Sequence, residues 1–164
     1  MTAPTLTARL IASVILIKDG KALILNEPDD DGRMRKNLPG GHVEPRESVV
    51  DAAKREALEE TGFQIQVGPL IQIISSSKKD GTHTIRQTFS ARIDAGELRT
   101  EQDATAIWMT KEDVERIPED ALVFGVKEAL LLAFEAHIID PQNVVMRHNG
   151  KRMQFPEEET NKRA

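Results

Sequence analysis

The sequence predicts an α/β (α+β) fold in which a mixed sheet lies between helices, with a C-terminal extension hairpin. Three observations predict it. Strand-like runs alternate with helical patterns along the chain and do not segregate into two halves. One helix is delimited at both ends by residues that start and stop helices. With 164 residues, 39% hydrophobic and 30% charged, the chain suits one domain with a proper core.

The elements follow in order. "RLIASVILIKDGKALILNE" reads as two strands joined at Asp19-Gly20, and "PDDDGRMRK" as a charged loop leading into "NLPGGHVE". Ser48 with Asp51 three residues on makes a capping box, and Gly62 suits a left-handed helix stop, so one helix fills the interval. "FQIQVGPLIQIISSS" and "TIRQTFSARID" are further strands separated by the turn-rich "KKDGTH". "TAIWMT" is a short strand before the helical pattern "KEDVERI", and a longer helix is predicted over 122–137. Asn149-Gly150 is a strong two-residue hairpin signal, with strands expected at 144–148 and 151–155. The division is therefore 1–140 for the main domain and 141–164 for the extension, whose hairpin at 144–155 precedes a polar tail. Val145, Met153 and Phe155 are its candidate docking contacts, against the sandwich or a second subunit, and a homodimer is the expectation.

Composition excludes several classes of function. The longest apolar run, "LIASVILI" at 10–17, is too short to cross a membrane, and no basic flank with a small-residue cleavage site is recognisable at the N-terminus. A cytoplasmic location is expected. There is no cysteine, hence no thiol nucleophile and no cysteine-ligated zinc. A net charge of −5 argues against a nucleic acid polymer or an anionic membrane as partner. A small phosphorylated partner fits better.

The helix ends oddly. Glu56, Glu59 and Glu60 cluster near its C-terminus. At about 100° per residue they share one face, while Val50, Ala53, Ala57 and Thr61 form the adjacent core-facing stripe. Like charges at i,i+3 and i,i+4 cost roughly 0.2–0.5 kcal/mol per pair, and carboxylates in a last turn meet the negative end of the helix dipole. A divalent cation reverses that sign, because converging oxygens are the shell that Mg²⁺ or Mn²⁺ takes. Taken alone, such a triplet is more often a solvated acidic surface.

What precedes the triplet changes the balance. Gly41, Glu47, Arg55, Glu56, Glu59, Glu60 and Gly62 fit G-x5-E-x7-R-E-U-x-E-E-x-G-U, with U a bulky aliphatic residue. The stretch resembles the signature box of the Nudix hydrolase family; Ala57 is smaller than the usual aliphatic residue and Phe63 is aromatic. The flanking pattern extends the resemblance over roughly residues 9–138. It implies the Nudix α/β/α sandwich and hydrolysis of a phosphoanhydride bond, with water attacking phosphorus. It also implies a metal, Mg²⁺ or Mn²⁺, held by Glu56, Glu59 and Glu60, with a carbonyl from the pair Gly40-Gly41, Gly40 being the candidate. Glu60 or its neighbour Glu59 would also polarise the attacking water. The pair Glu47 and Arg55 would orient the catalytic glutamates.

Further candidates are less sharply marked. An additional acid is sought in "GELRTEQDATAIW", where Glu101 is preferred to Glu97 and Asp103. Arg86, alternating with Ile85 and Phe89, is the preferred phosphate contact over Arg33, Arg35, Lys36, Lys78 and Lys79. Trp108 reads as a core residue more readily than as a stacking platform. His42 and His83 lie near the mouth of the expected site, whereas His137 and His148 do not. In the region where the family's subgroup markers fall, "KKDG" has neither the proline of ADP-ribose enzymes nor the tyrosine of dinucleoside polyphosphate enzymes. The substrate is then a nucleotide or a nucleoside-diphosphate-linked small molecule. The alternative is a Nudix-fold sensor that binds a nucleotide or sugar phosphate without hydrolysing it.

Overall fold

Apolar residues carry the first strand up to an Asp-Gly pair that turns the chain back. β1 (Ala8–Lys18) passes into β2 (Lys21–Pro28) with Ile17 opposite Ala22, and Asp19 and Gly20 sit at φ 51° and 73°, the two positive angles that a tight hairpin turn requires. The computed structural model describes residues 7–29, 32–77, 81–100, 104–135, 147–148 and 151–152.

The segment expected as a charged loop is partly a strand. β3 (Met34–Asn37) pairs antiparallel with β2, placing Leu25 opposite Asn37. Its polar side chains are used across the strands: Arg35 Nε donates to Asp29 at 2.6 Å and Asn37 Nδ2 to Glu27 at 2.8 Å. β4 (Gly40–His42) then pairs with β1, Ser13 opposite Gly40.

Helix α1 (Val49–Thr61) starts at the expected cap, where the Ser48 hydroxyl accepts from the Asp51 N–H at 3.1 Å, and stops at Gly62 with φ 73°. Two long strands follow, β5 (Phe63–Ser77) and β6 (His83–Gly96), paired antiparallel. β6 runs parallel to β1 from the pair Ala8 and His83 to Leu16 and Ala91, and β7 (Thr105–Met109) pairs antiparallel with β2. The order β3-β2-β1-β6-β5 therefore mixes both directions.

Two short helices close the domain. α2 (Lys111–Arg116) is opened by a reciprocal capping box between Thr110 and Asp113. The helix expected over 122–137 begins later, as α3 (Val126–Phe134), after a 3-10 turn at Glu119–Ala121. Tertiary pairing explains the delay: Leu122 bridges to Lys36, the Val123 N–H donates to the Lys36 carbonyl at 2.9 Å, and Gly125 sits at φ 77° immediately before the helix.

The sheet is covered on both faces. On one, Ala52, Ala53 and Ala57 of α1 pack against Ala12, Val14 and Leu16 of β1, with Trp108 partly buried at the margin. Small residues let this helix lie close to the strand. Val50, expected on the core stripe, is 39% exposed in the first turn, and Ala52 is buried instead. On the other face, α2 and α3 bury Val114, Val126, Ala129 and Leu130 against Ile15 and Ile24. Near the C-terminus β8 (Arg147–His148) pairs antiparallel with β9 (Lys151–Arg152); the other residues of the hairpin expected at 144–155 lie outside the described residues. Among those described, no helix is long and apolar enough to cross a membrane.

Candidate active site

The residues singled out in the sequence converge where the last turns of α1 meet β4. Arg55 is the hub. Its Nε and Nη2 donate to the two oxygens of Glu47 at 2.9 and 3.0 Å, a bidentate fork. Nη1 donates to Glu56 at 2.8 Å and to Glu59 at 3.0 Å, and Nη2 also reaches the His42 carbonyl at 3.1 Å. One guanidinium thus ties three carboxylates to the loop that precedes the helix.

The direct bonds to Glu56 and Glu59 were not anticipated from the sequence, although the i,i+4 spacing of Arg55 and Glu59 was a signal for one of them. They alter the electrostatics of the helix end. The mutual repulsion inferred from the glutamates alone is offset by a cation in their midst. The Glu47 hydrogen bonds, then those of Glu56, hold the Arg55 guanidinium well above its ordinary value, and Arg55 in turn holds the Glu47 carboxyl below the usual carboxylate range.

Gly40 and Gly41 serve different purposes. The Gly40 N–H donates to Glu60 Oε2 at 2.8 Å, fixing the third glutamate of the triplet against β4. Gly41 makes room. A Cβ there would lie 2.4 Å from Glu56 Oε1 and 2.7 Å from Oε2, inside the space that the carboxylate occupies. The signature's glycine is therefore a cradle for the signature's first helix glutamate.

The other candidates scatter. Arg86 lies on the opposite face of the sheet from α1, only 9% exposed, its Nη2 donating to the Phe124 carbonyl and its Nε without a partner. Burial pushes its pKa down to about 10. Gln72 Nε2 donates to the next carbonyl, Gly125, at 3.3 Å. Phe124 and Gly125, whose carbonyls these side chains reach, also line a cleft of about 380 Å³ together with residues including Arg35, Asp120 and Glu128. Of these only Arg35 was a sequence candidate; Phe124 stood inside a predicted helix, Asp120 just before it, and neither carried a signal. His83 bonds Ser75 at 2.7 Å, and His42 contributes its carbonyl to Arg55. Arg33 and Glu97 are exposed. Glu101, Asp103, Lys78, Lys79 and His137 lie outside the described residues.

The donor set suits a hard divalent cation: all-oxygen carboxylate ligands on one helix end, with side-chain room guaranteed by Gly41. Among the described residues no three acidic or imidazole groups already converge at ligand distance; two of the glutamates are turned to Arg55 and the third to Gly40.

Comparison with known proteins identifies the family. The NUDIX domain model matches residues 7–130. A MutT-like protein of Streptomyces ambofaciens is 29% identical over 120 residues, covering 72% of this chain and 74% of that protein. The ADP-ribose pyrophosphatase of Methanocaldococcus jannaschii is 36% identical over 91 residues, covering 55% of this chain and only 54% of its own length. A solved NUDIX hydrolase from Nitrosomonas europaea superposes with a TM-score of 0.71 at 23% identity, over 80% of this chain and 92% of that one, which speaks to fold. With the domain model spanning the sheet, the carboxylate helix and both covering layers, the chain belongs to the Nudix hydrolase family.

Proposed function

We propose that the protein is a divalent-metal-dependent hydrolase that cleaves a phosphoanhydride bond in a nucleotide or a nucleoside-diphosphate-linked small molecule. The observation that carries this reading is the fit between Gly41 and the Glu56 carboxylate, in a helix end whose acids are already ordered by Arg55 and Gly40. A surface acidic patch needs no such cradle.

Nudix enzymes act on small nucleotide substrates and generally use divalent metal ions. Here Glu56, Glu59, Glu60 and the Gly40 carbonyl would hold the ion, Mg²⁺ or Mn²⁺. When bound, it supplies charge withdrawal from phosphoryl oxygens and lowers the pKa of water. The chain's own residues do the remainder. Glu60 or Glu59, next to one another at the helix end, accept a proton from the attacking water. Arg55, held by Glu47, sets the orientation of Glu56 and Glu59, and loss of such supporting bonds typically costs 10–100-fold. For the organic part of the substrate we assign the cleft beside Phe124, with Arg86 beneath it holding the wall through the Phe124 carbonyl, and Glu101 as an additional acid.

The test is release of phosphate or pyrophosphate with Mg²⁺ or Mn²⁺ across a panel of nucleotides and diphosphate conjugates. Turnover that disappears with chelation and in Glu56→Gln is expected. Binding of panel members without any hydrolysis would instead make the protein a sensor.

A further inference from the structure

We infer that Arg46 is a substrate-binding residue of this site, a cation that a rigid turn presents to the phosphate oxygens of the bound substrate. The inference rests on the hydrolase reading above, and it concerns a position that the matched signature leaves open.

The turn is Glu44–Pro45–Arg46–Glu47, closed by the Glu47 N–H donating to the Glu44 carbonyl at 3.1 Å. Proline second and a positive φ third is the type II pattern, which favours glycine at the third position. Arg46 occupies it at φ 71°, a conformation that costs a residue bearing a Cβ and costs glycine nothing. The other non-glycine residue with positive φ among those described is Asp19, whose short polar side chain tolerates that conformation in a hairpin turn. Arginine has no such excuse. Nor does a local partner offset the cost: the Arg46 side chain is exposed and makes no ion pair or hydrogen bond among the described residues. Strain retained without local compensation is a reason to look for function.

Its surroundings indicate the ligand. The turn is pinned to the catalytic helix, because Glu47 is gripped by Arg55 and the Glu44 N–H donates to Glu47 Oε2 at 3.0 Å, while the His42 carbonyl just upstream accepts from Arg55. Arg46 is thus fixed one residue from the glutamate that anchors the whole cluster. Arg55 is already engaged with Glu47, Glu56 and Glu59, and Glu60 accepts from the Gly40 N–H, so the acids of the site leave that cation no free valence. An anionic phosphate substrate approaching this acidic helix end can meet Arg46 as a guanidinium not already held by a carboxylate, whose planar fork matches phosphate oxygens.

The experiment uses three variants of the full chain, Arg46→Gly, Arg46→Asn and Arg46→Lys. Binding of the non-hydrolysable pyrophosphate analogue methylenediphosphonate is measured with Mg²⁺ by calorimetry, beside KM and kcat for the best substrate of the panel. Arg46→Gly and Arg46→Asn, both at home at positive φ, should weaken binding and raise KM by about 5-fold, the size of a favourable exposed charge contact. In both, kcat should stay within about twofold, and Arg46→Lys should recover most of the affinity. The thermal midpoint of Arg46→Gly should equal or exceed that of the wild type. Unchanged affinity in Arg46→Gly, or a fall in kcat at constant KM, would overturn the inference while leaving the hydrolase reading intact. Affinity lost in the variants of a protein that hydrolyses nothing would uphold the inference and overturn that reading.

Discussion

Gly41→Ala is the most incisive perturbation, because one methyl group is aimed at one carboxylate. Gly41 has no positive φ, so alanine fits the backbone without strain and the nearest obstacle is Glu56. The added Cβ would sit 2.4 Å from Glu56 Oε1, and reaching an ordinary contact of 3.4 Å requires the carboxylate to retreat by about 1 Å. A displacement of that size in a reacting constellation costs on the order of 10²-fold in rate. Stability should hardly change. Glycine to alanine at a compatible site gains roughly 0.4–1 kcal/mol through the unfolded chain, and the weakened Arg55–Glu56 bond gives back a similar amount. A net change within about 1 kcal/mol moves the melting temperature by only about 2–4 °C in a domain of this size. The assay pairs kcat/KM with a thermal melt and repeats both in a Glu56→Asp background, where the shorter side chain leaves room for the methyl group. Gly41→Ala with turnover within threefold of wild type, or with the same added loss in the Asp background, would refute the cradle. Gly40→Ala is no substitute, since its Cβ would strike the Ala12 carbonyl oxygen at 2.3 Å and the Ser13 Cα at 2.5 Å, and misfolding is the expected result.

Glu56→Gln and Glu60→Gln should each lose most turnover with the fold retained, because a glutamine oxygen still accepts from Arg55 or from the Gly40 N–H; a Mg²⁺-induced rise in melting temperature that survives in both would remove them as ligands. Arg55→Lys keeps the charge but cannot span Glu47, Glu56 and Glu59 together, so turnover should fall about 10–100-fold, and near-normal kcat would show that the fork is dispensable. Asp113 is held below its ordinary pKa by the Thr110 hydroxyl and backbone. A depressed carboxylate contributes stability above its ordinary value and loses it as pH falls through the folded value. The stability difference between wild type and Asp113→Asn should therefore be present at neutral pH and vanish in acid below about 3.8, as urea titrations at several pH values would show. For the homodimer proposed through the C-terminal extension, deletion of residues 141–164 should halve the mass in solution; an unchanged mass would exclude the extension from the interface.

Features set by near neighbours in sequence were legible, and those set by distant partners were not. The Ser48 cap, the Gly62 stop and the Asp19-Gly20 turn are decided within four residues, and each stands where the sequence places it. β3 could not be read this way. "MRKN" has neither apolar alternation nor β-branched residues, and it is a strand because β2 offers Leu25 through Pro28 as partners. Leu122 and Val123 look helical beside "KEALLLAF" until Lys36 claims them. Propensity is a weak prior wherever a sheet edge competes for the same residues.

The active site shows the same division within one helix. Spacing alone put Glu56, Glu59 and Glu60 on one side, and the structure agrees that all three reach the β4 end of α1 through Arg55 or Gly40. Helical angles, however, could not reveal that Arg55 Nη1 lies between two of them, because a long side chain moves its charge well away from its own position on the wheel. Those two bonds offset the inferred repulsion. With Glu47 on the other edge of the guanidinium, the cluster is ordered before any ion arrives, so the cost of assembling like charges is met in folding by Arg55. In the proposed reading, Glu56 Oε2 and Glu59 Oε1, the oxygens that Arg55 Nη1 does not hold, are left for a divalent cation, while Arg55, gripped by both oxygens of Glu47, keeps the two carboxylates in place. Under the proposed function, preorganisation depends on the Glu47–Arg55 pair, and its two members should matter to turnover although neither needs to touch the reacting phosphorus.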